Sequence, residues 1–194
     1  LAVRIIQKVQ QRRREKAPES GQSGGCCAAW RTRPRRSDSS AAPVVAHRPC
    51  VTPPLPARLA HARAALLRHF GFPDFRPAQR RVIQSVLAGR DTLAVLPTGG
   101  GKSVCFQVPA LVLDGLTVVV SPLLSLMQDQ VEAGRRRGLA AAALNSAQDA
   151  DDQRAVLDAV GQGTLKLLYV SPERLERLAT TLGREGARIG LLAV

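Results

Sequence analysis

A glycine-rich stretch followed by Lys and Ser carries the clearest chemistry in the sequence. Gly99, Gly100 and Gly101 precede Lys102 and Ser103, and a short apolar run lies just before them at residues 93–96. A buried strand, a glycine turn and a helix beginning near Lys102 would direct backbone N–H groups and the positive end of the helix at one point. A polyphosphate fits such a cradle, with Lys102 at the β- and γ-phosphates and the Ser103 hydroxyl on Mg²⁺.

The residues just before the glycines indicate which type of phosphate loop this is. The general phosphate-loop pattern has a glycine where Leu96 stands here, and Pro97 and Thr98 follow it. This Pro-Thr preface is the form that helicase-type phosphate loops use. The competing interpretation, a glycine turn that binds nothing, does not explain why Lys and Ser follow the glycines in register.

Apolar runs and helical periodicities alternate through the rest of the chain, and they define the elements that must position this loop. Helices are predicted at residues 59–70, 77–88, 102–113, 123–136, 149–160 and 173–182. Strands are predicted at residues 92–96, 116–120, 140–144, 166–170 and 189–194. Continuous apolar strands separated by helices indicate an α/β domain with a parallel sheet covered by helices on both faces.

Two Ser-Pro pairs, Ser121-Pro122 and Ser171-Pro172, each follow a predicted strand directly, as the glycine loop does. Ligands of parallel sheets lie beyond the carboxyl ends of the strands. We therefore expect the loop and both pairs on one edge of the sheet.

Charge and composition divide the 194 residues into a tail and a domain. The formal net charge is +13, and residues 1–60 hold twelve of the 28 Lys and Arg but only three of the 15 Asp and Glu. Residues 1–55 are basic and rich in Pro, Ser and Arg, so they are predicted to be a disordered tail, with at most a frayed helix over 3–16. Residues 56–194 are predicted to form the domain. A basic tail can hold nucleic acid through its phosphates.

Cysteines and apolar runs exclude several classes of protein. None of the four cysteines, Cys26, Cys27, Cys50 and Cys105, stands in a C-x-x-C pair, which argues against a structural zinc site, and Cys105 reads as a buried thiol. Nothing indicates a disulfide framework, and no apolar run is long enough for a membrane span or a signal peptide. Because the only methionine is Met127, we expect the sequence to be a piece of a longer protein.

Five segments in a fixed order give the sequence a specific resemblance. They are residues 70–79, 96–103, 118–131, 144–146 and 167–175. Together they closely resemble the first motor domain of RecQ-family DNA helicases, which has a RecA-like fold. The resemblance covers about residues 60–194. It implies an ATP-dependent 3′-to-5′ DNA helicase acting in recombination and repair, with ATP and Mg²⁺ as cofactors and DNA as partner.

The resemblance also implies roles for individual residues. Catalytic roles fall to Lys102 and Ser103, the latter through Mg-ATP. Phe72, Arg76 and Gln79 match the family's adenine-recognition motif, and the Gln79 amide has the carbonyl that accepts from the adenine N6 amine and the NH₂ that donates to N7. ATP would be held by these three residues and by Pro97, Thr98, Gly99, Gly100, Gly101, Lys102 and Ser103. Single-stranded DNA would be contacted by Ser121, Pro122, Leu123, Ser125, Gln128, Asn145, Ser171, Glu173 and Arg174.

Alternatives stay open at this point. Either Ser-Pro pair alone could be a plain helix N-cap. The family's acidic Asp-Glu pair is not reached before Val194, so we expect this polypeptide alone to be inactive in ATP hydrolysis. Another P-loop enzyme such as a nucleotide kinase, or a non-catalytic adaptor that binds nucleic acid through its tail, are the competing functions. The expected location is the cytoplasm (nucleoid) of a bacterium or the nucleus of a eukaryote.

Overall fold

Helices and strands follow one another in the order that the apolar runs predict, with one additional strand at the start. The computed structural model describes residues 2–6, 53–185 and 187–194. The helices of this part are α1 (Leu55–Phe70), α2 (Pro77–Leu87), α3 (Val104–Val112), α4 (Leu124–Arg136), α5 (Ala150–Gly161) and α6 (Pro172–Glu185). Its strands are β1 (Ala2–Ile6), β2 (Thr92–Val95), β3 (Leu116–Val120), β4 (Ala141–Leu144), β5 (Leu167–Val170) and β6 (Ile189–Ala193).

The strands of the described residues form one sheet in the order β2-β1-β6-β3-β5-β4. β3 pairs in parallel with β5 and β6, and β4 pairs in parallel with β5. β1 is antiparallel to both of its neighbours, so β2 points in the same direction as the four parallel strands. The α/β fold is confirmed, but the sheet is mixed because of β1.

Strand β1 corrects the prediction of a disordered tail over residues 1–55. That prediction, with its frayed helix over 3–16, was wrong for residues 2–6, while residues 7–52 lie outside the described part. Ile5 is fully buried, and the Arg4 backbone exchanges hydrogen bonds of 3.0 and 2.9 Å with Val194. The backbone N–H and C=O groups of β1 find hydrogen-bond partners in two neighbouring strands. Burial of Ile5 adds apolar stabilisation, which the composition of the segment does not predict.

Helices cover both faces of the sheet, as predicted. Alternate strand residues point to opposite faces, and in β3 Val119 belongs to the cluster under α2, α3 and α4, whereas Val118 belongs to the cluster under α5 and α6. A third cluster joins α1, α2 and α3. Helix α3 contributes to two of the clusters and is buried continuously over residues 104–110. Its position, and that of the loop before it, is therefore tightly fixed by packing.

Three chain segments leave the sheet at one edge. The glycine loop follows β2, Ser121 follows β3, and Ser171 follows β5. Because these strands run in the same direction, the expected common edge is confirmed. β2 and β3 are three strand spacings apart, which at about 4.8 Å each is roughly 14 Å. The edge therefore has two regions, a loop region at β2 and a Ser-Pro region at β3 and β5.

Candidate functional site

The glycine loop is held in a conformation that only glycines adopt without strain. Gly99 and Gly101 have φ angles of 77° and 74°. A Cβ atom on Gly100 would lie 2.9 Å from the Pro97 carbonyl oxygen, and one on Gly101 would collide with the Gln79 side-chain amide. The three glycines are therefore required by backbone angle or by space, as a phosphate cradle demands.

Lys102 folds back across the loop. Its ammonium group donates hydrogen bonds to the carbonyl oxygens of Leu96 (3.3 Å) and Pro97 (3.0 Å). Both acceptors are neutral, whereas phosphate oxygens are charged and form stronger hydrogen bonds with an ammonium group. A polyphosphate in the loop would therefore compete favourably for this side chain.

Ser103 stands at the amino end of α3 and leaves its hydroxyl available. It occupies the N-cap position with helical angles, and within the described chain its side chain makes no capping hydrogen bond. The side chain is partly exposed. Among the described residues no group of three or more His, Cys, Asp or Glu could hold a metal ion. A contact between Ser103 and Mg²⁺ therefore stays a prediction; with nucleotides, Mg²⁺ is usually held by one or two protein oxygens together with water and phosphates.

Gln79 is buried against the loop, and its amide is used there. Its Oε1 accepts from the Arg76 backbone N–H at 3.0 Å, while Nε2 donates to the carbonyl oxygens of Gly100 (3.1 Å) and Gly101 (3.4 Å). The first bond satisfies the backbone N–H of Arg76, the residue before α2, and Pro77 occupies the first turn of that helix. Gln79 thus links α2 to the glycine loop, and its recognition of adenine stays a prediction.

Arg76 lies beside the same loop, and Phe72 lies in the turn that precedes α2. Arg76 donates from Nη1 to the Gly99 carbonyl oxygen at 2.8 Å, and Phe72 is 55% exposed. Phe75, in contrast, is buried in the cluster of α1, α2 and α3. The structure therefore brings Gln79 and Arg76 to the loop, while Phe72 is an exposed ring in the turn before α2.

Asp74 is a residue of this turn that sequence reasoning missed. Its carboxylate accepts a 2.8 Å hydrogen bond from the Phe75 N–H and pairs with Arg80 and, at 3.6 Å, with Arg63. The backbone hydrogen bond, aided by the two arginines, holds the pKa of Asp74 below its usual range. Asp74 thereby fixes the turn that carries Phe72. The sequence signal for this role was an acidic residue in a turn between two helices that carry arginines.

The Ser-Pro region divides into exposed and buried members. Pro122, Leu123, Ser125, Gln128 and Glu173 are exposed, Ser121 and Arg174 are half-buried, and Asn145 and Ser171 are buried. These nine are the residues predicted to contact DNA, and they differ in solvent exposure. Only the exposed and half-buried members present side chains to a ligand as the structure stands.

The buried members have structural partners. The Asn145 side-chain oxygen accepts from the Ala147 N–H at 2.9 Å, and its own N–H donates to Gln148. The Ser171 hydroxyl is 1% exposed and has no hydrogen-bond partner among the described residues. It nevertheless lies close enough to Glu173 to be the main cause that lowers the pKa of that carboxyl. Asn145 therefore supports the loop after β4 rather than reaching outward.

Glu173 and Arg174 form the charged end of the Ser-Pro region. The lowered pKa keeps Glu173 ionised at neutral pH, and its carboxylate accepts from the Ser146 hydroxyl at 3.5 Å. Arg174 donates from Nη1 to Gln153 Oε1 at 3.1 Å. Of the two, only Arg174 carries the positive charge that attracts a phosphate, and a DNA contact of Glu173 stays a prediction.

Cys105 follows the loop as a buried thiol, as predicted. Burial raises its pKa to about 11, so the sulfur stays protonated and unreactive at neutral pH. Cys26, Cys27 and Cys50 lie outside the described residues. None of the described helices combines the length and apolar character that crossing a membrane requires.

Known proteins match the segment that carries both regions of the edge. The family model described as DEAD/DEAH box helicase matches residues 76–192. An ATP-dependent DNA helicase RecQ of Synechocystis is 56% identical over 111 residues, 57% of this chain and 23% of that protein. A protein of the same name from Bacillus subtilis is 40% identical over 137 residues, 70% of this chain and 23% of that protein.

A eukaryotic relative extends the comparison. The RecQ-like DNA helicase blm-1 of Caenorhabditis elegans is 45% identical over 108 residues, 55% of this chain and 11% of that protein. The chain thus spans a quarter or less of the length of these relatives. Because the family match covers more than half of the chain and takes in Gln79, the glycine loop and both Ser-Pro pairs, the chain belongs to the DEAD/DEAH box helicase family, and the resemblance to its RecQ-type members is confirmed.

Proposed function

We propose that the chain binds Mg-ATP at the glycine loop and single-stranded DNA along the Ser-Pro region, as part of a RecQ-type ATP-dependent 3′-to-5′ DNA helicase that serves recombination and repair. The observation that carries this proposal is the placement of Lys102 and Ser103 at the amino end of α3, behind a loop shaped by three required glycines. DNA as substrate implies the nucleoid of a bacterium or the nucleus of a eukaryote.

The residues of the loop supply binding and orientation. Backbone N–H groups and the positive end of α3 attract the phosphates. Lys102 exchanges the Leu96 and Pro97 carbonyl oxygens for the β- and γ-phosphates, and Ser103 holds the Mg²⁺, which neutralises phosphate charge. Gln79 keeps the loop against α2, and the exposed Phe72 ring offers a face for stacking on the base.

The Ser-Pro region supplies contacts that do not depend on DNA sequence. Hydroxyl and amide groups such as those of Ser125 and Gln128 are exposed at the start of α4. Side chains of this kind and helix amino ends bind phosphates and sugars rather than base edges. We therefore propose that this region follows the backbone of one strand.

A second candidate function rests on the charge distribution. Residues 7–52 contain ten Lys and Arg against three acidic residues. Such a segment binds nucleic acid through phosphates without any catalytic site. Under this alternative the chain is an adaptor, and the Ser-Pro region contributes little to DNA affinity.

Replacing Lys102 tests the nucleotide site. We expect Lys102→Ala to weaken binding of a fluorescent ATP analogue about 10- to 100-fold, because charge-assisted hydrogen bonds contribute about 1.5–3 kcal/mol. Lys166→Ala is the matched control, since Lys166 precedes β5 at the opposite edge of the sheet. Equal ATP affinity in Lys102→Ala and the control would remove the role given to Lys102.

A further inference from the structure

A single glutamine interrupts the most buried stretch of α3. Gln107 is 1% exposed, and its neighbours over residues 104–110 are buried and otherwise apolar, apart from Cys105. Its Nε2 donates hydrogen bonds to the Tyr169 hydroxyl at 2.9 Å and to Gln130 Oε1 at 3.2 Å. A polar side chain is costly at such a place unless its hydrogen bonds compensate.

The hydrogen bonds of Gln107 do not satisfy the whole amide. Its Oε1 is buried and has no hydrogen-bond partner among the described residues. An apolar side chain of similar length would avoid this unsatisfied atom. Packing alone therefore does not explain a glutamine here. What a glutamine adds over an apolar residue is its directional hydrogen bonds to two other elements, α4 and β5.

The three connected residues each lie close to a different segment of the sheet edge. The Gln107 N–H bonds to the carbonyl oxygen of Ser103 at 2.9 Å, so Gln107 is one helical turn from the glycine loop. Gln130 is on α4, one turn beyond the exposed Leu126 and two residues beyond the exposed Gln128. Tyr169 lies on β5, two residues before Ser171. One amide thus joins the nucleotide loop to both halves of the Ser-Pro region.

The network does not change its protonation at neutral pH. Burial raises the pKa of Tyr169, so its hydroxyl stays neutral. Its geometry instead depends on the relative positions of α3, α4 and β5. Buried hydrogen bonds are directional and lose strength steeply when donor and acceptor shift.

We propose that Gln107 is a positioning residue that couples nucleotide binding at the glycine loop to DNA binding at the Ser-Pro region, through its hydrogen bonds to Gln130 and Tyr169. The inference rests on the proposed function, because it needs both ligands. A phosphate that draws Lys102 and Ser103 toward it shifts the first turn of α3. Gln107 transmits that shift to α4 and β5, and by reciprocity DNA binding alters nucleotide affinity by the same factor.

The test is a linkage measurement on the whole 194-residue chain. Affinity for a non-hydrolysable ATP analogue is measured with and without saturating oligo(dT), and the ratio of the two dissociation constants is the coupling factor. For the natural chain we expect a factor in the range typical of coupled sites, about 5- to 150-fold. In Gln107→Met and Tyr169→Phe we expect it to fall below about twofold, while each ligand alone binds within about threefold of normal.

Gln84→Met is the matched control, since Gln84 is half-buried on α2 and the change is chemically the same. It should keep the natural coupling factor. Tyr169→Phe removes one oxygen only, so it keeps the test valid if Gln107→Met does not fold. Natural coupling in both variants, or no coupling in the natural chain although both ligands bind, would overturn the inference alone. Failure of the natural chain to bind either ligand would overturn the proposed function as well.

Discussion

Gln79 shows how one side chain can serve two parts of the site. Its oxygen accepts from the Arg76 backbone N–H at the start of α2, and its nitrogen donates to the carbonyl oxygens of Gly100 and Gly101. The residue proposed to recognise the base is therefore also the residue that sets the position of the phosphate loop. Gly101 has to be a glycine partly because Gln79 lies against it.

A pair of glycine substitutions separates backbone strain from this contact. Gly101→Ala and Gly163→Ala both place a Cβ atom at positive φ, 74° and 67°, which costs about 1–2 kcal/mol in each case. Only at position 101 does the new atom displace Gln79, because nothing lies within 4 Å of a Cβ at position 163. In chemical denaturation, backbone strain should lower the free energy of unfolding by a similar amount in both variants. Any additional loss in Gly101→Ala is due to the displacement of Gln79.

ATP affinity distinguishes the two variants further. We expect Gly101→Ala to weaken binding of the ATP analogue about 5- to 10-fold, the effect of losing one hydrogen bond that shapes the loop. Gly163→Ala should bind as the natural chain does. If both variants kept full ATP affinity, Gln79 would not be positioning the loop.

At the scale of elements, β1 is the least expected part of the fold. It lies between β2 and β6 and supplies Ile5 to the cluster under α2, α3 and α4. Ala2 pairs with Val95, which is the last residue of the strand before the glycine loop. The amino-terminal residues therefore support the strand that carries the nucleotide site.

Truncating Ile5 measures this support. We expect Ile5→Ala to lower the free energy of unfolding by about 2–5 kcal/mol, because it leaves a cavity in a packed cluster. Arg4→Ala, on the exposed side of the same strand, should change it by about 0.5 kcal/mol or less. Urea titrations give both values. Equal, small effects would mean that β1 does not contribute to the folded domain.

The elements from α1 onward were predictable, whereas β1 was not. Periodicity and apolar runs are local signals, and they suffice for strands such as Leu167–Val170, which are buried on both faces. Pairing of Ala2 with Val95 joins residues far apart in the sequence. The five residues of β1 precede a charged run, and nothing in their own sequence indicates this pairing. Non-local backbone pairing is invisible to composition.

The same distinction holds for the candidate site. The glycine loop and the order of motifs identified Lys102, Ser103 and the Ser-Pro pairs from sequence alone. Burial of Asn145 and Ser171, and the contact of Gln79 with the loop, depend on which strands are neighbours. Gln107 carried one local signal that was missed, a lone amide within an apolar helix.

The whole molecule gathers its proposed ligand contacts on one edge of one sheet. The strands that lead into the glycine loop and into Ser121 are roughly 14 Å apart, with β1 and β6 between them. In the sequence, the largest excess of positive charge is in residues 7–52, which contain ten Lys and Arg against three acidic residues. The central claim is that the edge, rather than that charge, binds the two ligands.

Hydrogen–deuterium exchange of the whole chain tests this claim most directly. Mg-ATP should slow exchange in residues 97–107, and oligo(dT) should slow it in residues 121–130 and 171–174, since bound backbone and side-chain groups restrict opening. Lys102→Ala should lose the first effect and keep most of the second. Protection by oligo(dT) confined to residues 7–52, with no effect of Mg-ATP on the glycine loop, would contradict the account and favour an adaptor that binds through charge alone.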